Sequence, residues 1–274
     1  MGINITTLTE NTANFGFLAE WGLSIFIQVD GANILFDTGL GISAVHNAHV
    51  LGVDLSSVDR IVLSHGHSDH TGGLREILRE TGKVEVIAHP DVWKPKYAGS
   101  VDANRFIGIP FQREELESLG ASFNLTRDAV WISDKIVTTG EIPMLTDYEE
   151  IDPILWVRED DHMVPDPLAD DLALAIKTEE GLVVILGCGH RGVINTLIHA
   201  RNLTQENRIN TVIGGIHLFY ASEERLVRTA ADLKEMGIGR LGVSHCTGFH
   251  ASAWLAQELG EMFFLNNAGT RVSL

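Results

Sequence analysis

The sequence is nearly devoid of cysteine. Cys188 and Cys246 are the two in 274 residues, which excludes a disulfide framework and leaves each as a metal ligand, a small buried residue or a reactive thiol. No run of 18 consecutive apolar residues occurs, so a transmembrane helix is not expected. The N-terminus lacks the basic region and apolar stretch of a secretion signal. Met1-Gly2-Ile3-Asn4-Ile5-Thr6 formally fits a myristoylation pattern, but it reads better as the start of a β-strand, and a cytoplasmic location is the expectation. Basic residues are scarce: 20 Lys plus Arg face 37 Asp plus Glu, a formal net charge of −17. That balance disfavours nucleic acid or an anionic membrane as the main partner and leaves a small-molecule substrate. A homodimer is an open expectation. Neither a tandem repeat of 20 to 50 residues nor a low-complexity linker is present, so a single domain over 1–274 is the simplest reading.

What the chain has instead is an ordinary globular composition, 45% hydrophobic and 21% charged, with enough length to bury a substantial core. Ile3 to Leu8, Leu23 to Val29 and Ala32 to Phe36 read as strands, the last two joined by an Asp30-Gly31 hairpin turn. Gly39 to Leu51 reads as a helix, Arg60 to Leu63 as a buried strand, Leu74 to Arg79 as a helix and Val84 to Ala88 as a strand. A second strand pair, Leu172 to Lys177 and Leu182 to Leu186, is expected to turn around Glu180-Gly181. Beyond it come a helix over Val193 to Asn202, a strand at Thr211 to Ile213, a helix over Glu223 to Met236 and a strand at Leu241 to Ser244. The segment of about 90–171 has no clear period. It reads as an irregular insertion whose acidic second part, Ile151 to Asp171, is an excursion or lid. Two β-rich halves, each followed by strand–helix alternation, suggest sheets covered by helices.

Twelve histidines in so acidic a chain are the compositional oddity. Ser64-His65-Gly66-His67-Ser68-Asp69-His70-Thr71-Gly72-Gly73 places four potential metal ligands within six positions, where an apolar strand ends and a helix begins. A tight loop there can aim His65 and His67 at one centre and Asp69 and His70 at a neighbouring one. Imidazole and carboxylate suit zinc, iron or manganese. His190 is the best third partner for His65 and His67, and His245 for Asp69 and His70. Cys188, two positions before His190, is either a ligand or a small buried residue. His217, after a strand and two glycines, has a pocket position as substrate contact, auxiliary ligand or catalytic group. His89, at a strand end, has a weaker claim of the same kind. His46, His49, His162, His199 and His250 read as ordinary surface residues.

His65-x-His67-x-Asp69-His70 resembles the hallmark of the metallo-β-lactamase superfamily, and the likeness extends over nearly the whole chain. The resemblance implies an α/β (α+β) fold, an αββα four-layer sandwich of two mixed β-sheets flanked by helices, with a usually binuclear metal centre. Phe36-Asp37-Thr38-Gly39 matches the family's early strand-end aspartate, which supports the metal loop. Leu182 to Gly187 and Val243-Ser244-His245 match two later strands that supply ligands. Two departures stand out. Thr139-Gly140-Glu141 takes the place of a histidine-bearing segment; Glu141 can replace that histidine, though a solvated loop Glu is the simpler reading. Gly187-Cys188-Gly189-His190 replaces the usual Gly-Asp of the bridging ligand. With Arg191-Gly192-Val193-Ile194-Asn195, Gly214-Gly215-Ile216-His217-Leu218 and His245-Cys246-Thr247-Gly248, these departures resemble a narrower branch, the dihydropterin–ribofuranosylaminobenzene phosphate synthases and their hydrolase relatives.

The implied chemistry has three forms. In the first, a hydrolase holds two divalent ions, zinc foremost, and uses a metal-bound, bridging hydroxide on an ester, lactone or phosphate-type substrate; Asp69 binds metal and steers a proton, and Asp37 orients the ligands. In the second, a transferase condenses a dihydropterin diphosphate with an aminobenzene ribose phosphate, and aromatic residues between Trp93 and Tyr148 either stack on a flat ring or serve packing. The third is a ligand-binding protein on the same scaffold, which an intact ligand set disfavours. Diiron redox members often carry Glu where His67 stands, and nuclease members are disfavoured by the charge. Gly187 to Gly192 also fits Gly-x-Gly-x-x-Gly, but no companion acidic residue supports a dinucleotide site. The helix start beside it, with Arg191, is an expected phosphate site.

Overall fold

The computed structural model describes residues 2–100 and 103–274. Met1, which opens the myristoylation-like pattern, lies outside the described residues, as do Val101 and Asp102 of the 90–171 segment. The chain divides into two compact units, one of residues 1–126, 153–170 and 267–274, the other of residues 127–152 and 171–266. Among the described residues no helix is long and apolar enough to cross a membrane.

The first unit is built on a seven-stranded mixed sheet. Ile3–Thr9, Ser24–Val29 and Ala32–Phe36 form an antiparallel meander, with Arg271–Ser273 paired to the outer side of Ile3–Thr9. The turn at Asp30 and Gly31 has positive φ at both residues, the conformation that matches the twist of a two-residue hairpin. From Ala32–Phe36 onward the neighbours Arg60–Val62, Val84–Ala88 and Ala121–Leu125 run parallel. Helix Leu74–Thr81 buries Leu74, Ile77 and Leu78. This i, i+3, i+4 stripe packs into a cluster with Leu35, Ile61, Leu63 and Val86.

The second unit carries a six-stranded sheet in which Gly181–Leu186, Ile209–Gly214, Arg240–Val243 and Phe263–Leu265 are parallel and Ala173–Thr178 and Ile136–Thr138 complete an antiparallel edge. Val183, Val184 and Ile185 are all fully buried, the near-continuous apolar run of a strand covered on both faces. Helices Val193–Thr204, Glu223–Glu235 and Phe249–Leu259 contribute Leu197, Leu226, Leu233 and Leu255 to one cluster with Val184, Val212 and Leu241. Helix Glu223–Glu235 starts with Ser222 accepting the Arg225 N–H at 3.2 Å, has Glu223 and Glu224 in its first turn and Lys234 in its last. This is the charge order that the helix dipole favours.

Several boundaries differ from the sequence reading. The second hairpin turns at Glu179 and Glu180, because Gly181 already pairs with Thr178. The first helix begins at Ser43 instead of Gly39. Helix Phe249–Leu259 and strands Phe263–Leu265 and Arg271–Ser273 carry no legible signal of their own. The 90–171 segment is not irregular: it contributes Ala121–Leu125 to the first sheet, Ile136–Thr138 to the second, and a separate four-stranded antiparallel sheet of Lys96–Ser100, Ala103–Phe106, Leu155–Glu159 and His162–Pro165. Its strands are short and joined by polar turns, so no window holds a period long enough to read.

Candidate metal centre

Each sheet ends its parallel strands at chemistry-bearing residues. In the first unit the carboxyl ends of three adjacent parallel strands carry Asp37, Ser64-His65 and His89. In the second, three adjacent parallel strands end at Cys188-Gly189-His190, Gly215-Ile216-His217 and His245-Cys246. Open parallel sheets place ligand sites at these carboxyl ends.

In the first unit Asp37 is fully buried and organises the loop. One carboxylate oxygen accepts the Ser64 N–H at 2.7 Å; the other accepts the Ser64 hydroxyl at 2.7 Å and faces His70 Nδ1 at 2.7 Å. A proton on Nδ1 leaves His70 Nε2 with the lone pair a metal needs. Asp37 holds a φ of +59°, uncommon for a residue other than glycine and a mark of functional sites. Ser64 Oγ lies 2.9 Å from His65 Nδ1, and His65 Nε2 lies 2.9 Å from His67 Nδ1. The rings of His67 and His70 are 4.5 and 4.3 Å from that of His65, so three imidazoles of the motif gather in one place. Burial depresses the His67 pKa to about 3, which keeps the imidazole neutral and able to bind a cation. Asp69 and His70 lie in a one-turn helix, Ser68–Thr71, with His67 at its start. Asp69 is half-buried, and Trp21 Nε1 donates to it at 2.9 Å.

In the second unit Cys188, His190 and His217 offer ligand atoms all within 4.8 Å of one another, and so do Cys188, His245 and Cys246. The Cys246 thiol donates to the Cys188 carbonyl at 3.3 Å. The rings of His190 and His217 are 4.1 Å apart. His217 and His245 share the positive φ seen at Asp37. The His217 ring lies beside the Cys246 side chain, and Asp152 Oδ2 lies 3.9 Å from its Nε2. Burial lowers the His217 pKa, but the Cys246 thiol and the Asp152 carboxylate outweigh it and raise it overall. Gly215 is obligatory, since a Cβ there would come within 2.6 Å of Cys246 Sγ and of the Gly187 carbonyl.

Other expected positions have different duties. His89 Nδ1 accepts the Asp91 N–H at 3.0 Å and so caps the short helix Pro90–Trp93. The Arg191 guanidinium donates through Nε to the Ile142 carbonyl. The helix start at Val193 is not an open phosphate site, because the buried Glu149 carboxylate accepts the N–H groups of Ile194 and Asn195 at 2.9 and 2.8 Å. That carboxylate already occupies the positive end of the helix dipole. Glu141 is exposed and pairs with Arg127, the solvated reading. Several of the aromatics contact other side chains, Trp93 against Phe123, Tyr97 against Phe106 and Tyr148 beneath Arg228, while Phe106 and Trp131 remain exposed.

Lys96, Asp152, Asp166 and Asp170 escape sequence reading, and Cys246 is legible there only by its residue type. Lys96 is buried, with Nζ 2.8 Å from both Asp166 and Asp170. Burial opposes the charge of Asp170, but Lys96 outweighs it and holds the carboxyl below its usual range. Cys246 and Asp152 border His217. No spacing signals any of these, since their partners are remote in sequence.

The sequence matches the family model of the metallo-beta-lactamase superfamily over residues 22–255. It is 34% identical to the 7,8-dihydropterin-6-methyl-4-(beta-D-ribofuranosyl)-aminobenzene-5'-phosphate synthase of Methanocaldococcus jannaschii, over 97% of this chain and 95% of that protein. An uncharacterized protein of the same organism is 33% identical over 92% of this chain and 94% of its own length. Among solved structures, a metal-dependent hydrolase of the beta-lactamase superfamily superposes with a TM-score of 0.86 at 28% identity, covering 98% of both chains.

Proposed function

Because the chain belongs to the metallo-β-lactamase superfamily and has its mixed α/β fold, we propose that it is a metal-dependent synthase. In this reading it joins a dihydropterin diphosphate to an aminobenzene ribose phosphate, forming a C–N bond and releasing diphosphate. The observation that carries this reading is the 34% identity to the archaeal synthase along 97% of the chain.

The donor chemistry fits a metal: imidazole and carboxylate gather beyond the carboxyl ends of parallel strands in the first unit, imidazole and thiol in the second, the ligand types of zinc and, for the nitrogen and oxygen donors, of iron or manganese. The proposed ligands are His65, His67, Asp69, His70, Cys188, His190 and His245, serving two divalent ions, with zinc favoured by the thiol. When bound, the metal supplies positive charge for a phosphate-type oxygen and acidifies water at an open position. The protein's own groups do the rest. Asp37 sets the tautomer of His70. Ser64 does the same for His65. His217 is the proposed proton carrier: Cys246 and the Asp152 carboxylate beside it favour its protonated form.

The superposition with a metal-dependent hydrolase favours a second reading, in which the same residues direct water onto an ester or phosphate-type bond. One incubation separates the two. Both substrates are supplied to metal-loaded and chelator-treated protein, and products are resolved by mass. Coupled product with released diphosphate, abolished by chelation, supports the synthase. Hydrolysed dihydropterin diphosphate without coupled product replaces it by the hydrolase. Full turnover by metal-free protein overturns both.

A further inference from the structure

Lysine is seldom buried, and Lys96 is 1% exposed. A buried ion pair is a weak route to stability, since desolvation offsets most of the attraction, so its geometry is what distinguishes it. Asp170 Oδ1 takes the Lys96 ammonium at 2.8 Å, and its other oxygen, Oδ2, accepts the Gly66 N–H at 2.8 Å. Gly66 stands between His65 and His67. Its opposite side is closed as well, for a Cβ there would lie 2.3 Å from the Val92 carbonyl. The turn that delivers Asp170 is itself constrained: Leu168 has a φ of +46° and donates its N–H to Asp166 Oδ1 at 2.8 Å, a conformation costly for a bulky side chain. The next residue repeats the arrangement in the second unit, where Asp171 Oδ2 accepts the Arg191 N–H at 2.9 Å, one residue beyond His190.

We propose that the consecutive carboxylates Asp170 and Asp171 are positioning residues for the metal-ligand loops, Asp170 through the Gly66 N–H with Lys96 as its counter-charge, and Asp171 through the Arg191 N–H. A carboxylate pinned by a buried ammonium cannot rotate away, so the peptide between His65 and His67 is fixed before a metal arrives. Supporting groups of this kind typically govern metal affinity by about 10- to 100-fold. The inference rests on the metal-dependent reading above.

The test uses the full chain, stripped of metal and titrated with cobalt(II). It reads the dissociation constant and the visible ligand-field bands, together with the melting temperature of the metal-free protein. Asp170→Ala should weaken cobalt binding at least ~10-fold and alter the bands. Asp170→Asn, which keeps an acceptor for the Gly66 N–H, should recover part of the loss. Asp166→Asn removes one charge partner of Lys96 but keeps an acceptor for the Leu168 N–H, so the turn that delivers Asp170 is retained, and it should leave affinity and bands near wild type. Unchanged affinity in Asp170→Ala overturns the proposal, and so does an equal loss in Asp166→Asn, which would reduce the cluster to a stability element. If Asp170→Ala does not fold, Asp171→Ala decides: weakened binding supports the proposal and unchanged binding overturns it. Wild-type protein that binds no cobalt would instead sink the metal-dependent reading itself.

Discussion

In the first unit, the loop Ser64–Gly73 is held by charge. Asp37 collects the Ser64 N–H, the Ser64 hydroxyl and His70 Nδ1, and Asp170 takes the Gly66 N–H. In the second unit, the loop Gly187–Asn195 has one such contact, Asp171 with the Arg191 N–H, and is otherwise shaped by glycine and by capping. Gly189 and Gly192 have φ of +60° and +96°, and Glu149 and Asn195 tie the helix start to the segment before it, the Asn195 amide oxygen accepting the N–H groups of Leu145 and Thr146 at 2.8 Å each. The first loop offers nitrogen and oxygen donors; the second adds sulfur. A buried carboxylate with three donors concentrates the organisation in one side chain, whereas glycine conformations and helix caps spread it over many. The first loop is therefore the more vulnerable to a single substitution.

The sharpest test of that contrast is Asp37→Ala. It strands three buried donors, so a loss of about 3–5 kcal/mol is expected, with metal content falling toward zero; denaturant unfolding and elemental analysis read both. Glu149→Ala is its counterpart in the second unit. Loss of a cap that serves two N–H groups should cost about 1–2 kcal/mol, visible as a lower melting temperature, while metal per chain stays at the wild-type level. A metal loss as complete as that of Asp37→Ala would erase the distinction between the loops. Cys188→Ser probes the donor difference with little change in stability: the sulfur-to-cobalt charge-transfer absorption of the cobalt-loaded protein should weaken or vanish, and its persistence would assign the sulfur band to Cys246. The smallest effect is expected at His89→Ala, which removes the cap on the Asp91 N–H for about 1 kcal/mol or less and leaves metal content unchanged by elemental analysis.

Legibility followed the same division. His65, His67, Asp69 and His70 were readable as a cluster because four ligand-type residues crowd into six positions after an apolar strand. Strands Ala32–Phe36 and Val84–Ala88 were readable to the residue because short apolar-rich runs end in turn formers. Cys188, His217 and His245 could be picked out by type and by strand-end position, but nothing between them in sequence states that Cys188 belongs with His245 and Cys246. Arg191 and the helix start at Val193 looked like a phosphate site because a glycine-rich turn before a helix has that appearance; Glu149, more than 40 positions away, already occupies it. Helix Phe249–Leu259 was missed because its apolar residues are interleaved with Ser252 and Gln257 and its start is a glycine instead of a capping side chain.

The sequence by itself determined the family, the His and Asp cluster of the first loop that could hold a metal and the alternation of strands and helices, because each is carried by residues close together along the chain. Only the tertiary structure decided which charges are buried and whom they serve. Lys96, Asp166 and Asp170 are three ordinary polar residues until the fold removes water from around them. Once water is gone, each must find its partner within the protein. The partners found include Gly66 of the ligand loop, whose N–H lies 104 residues from Asp170 in sequence.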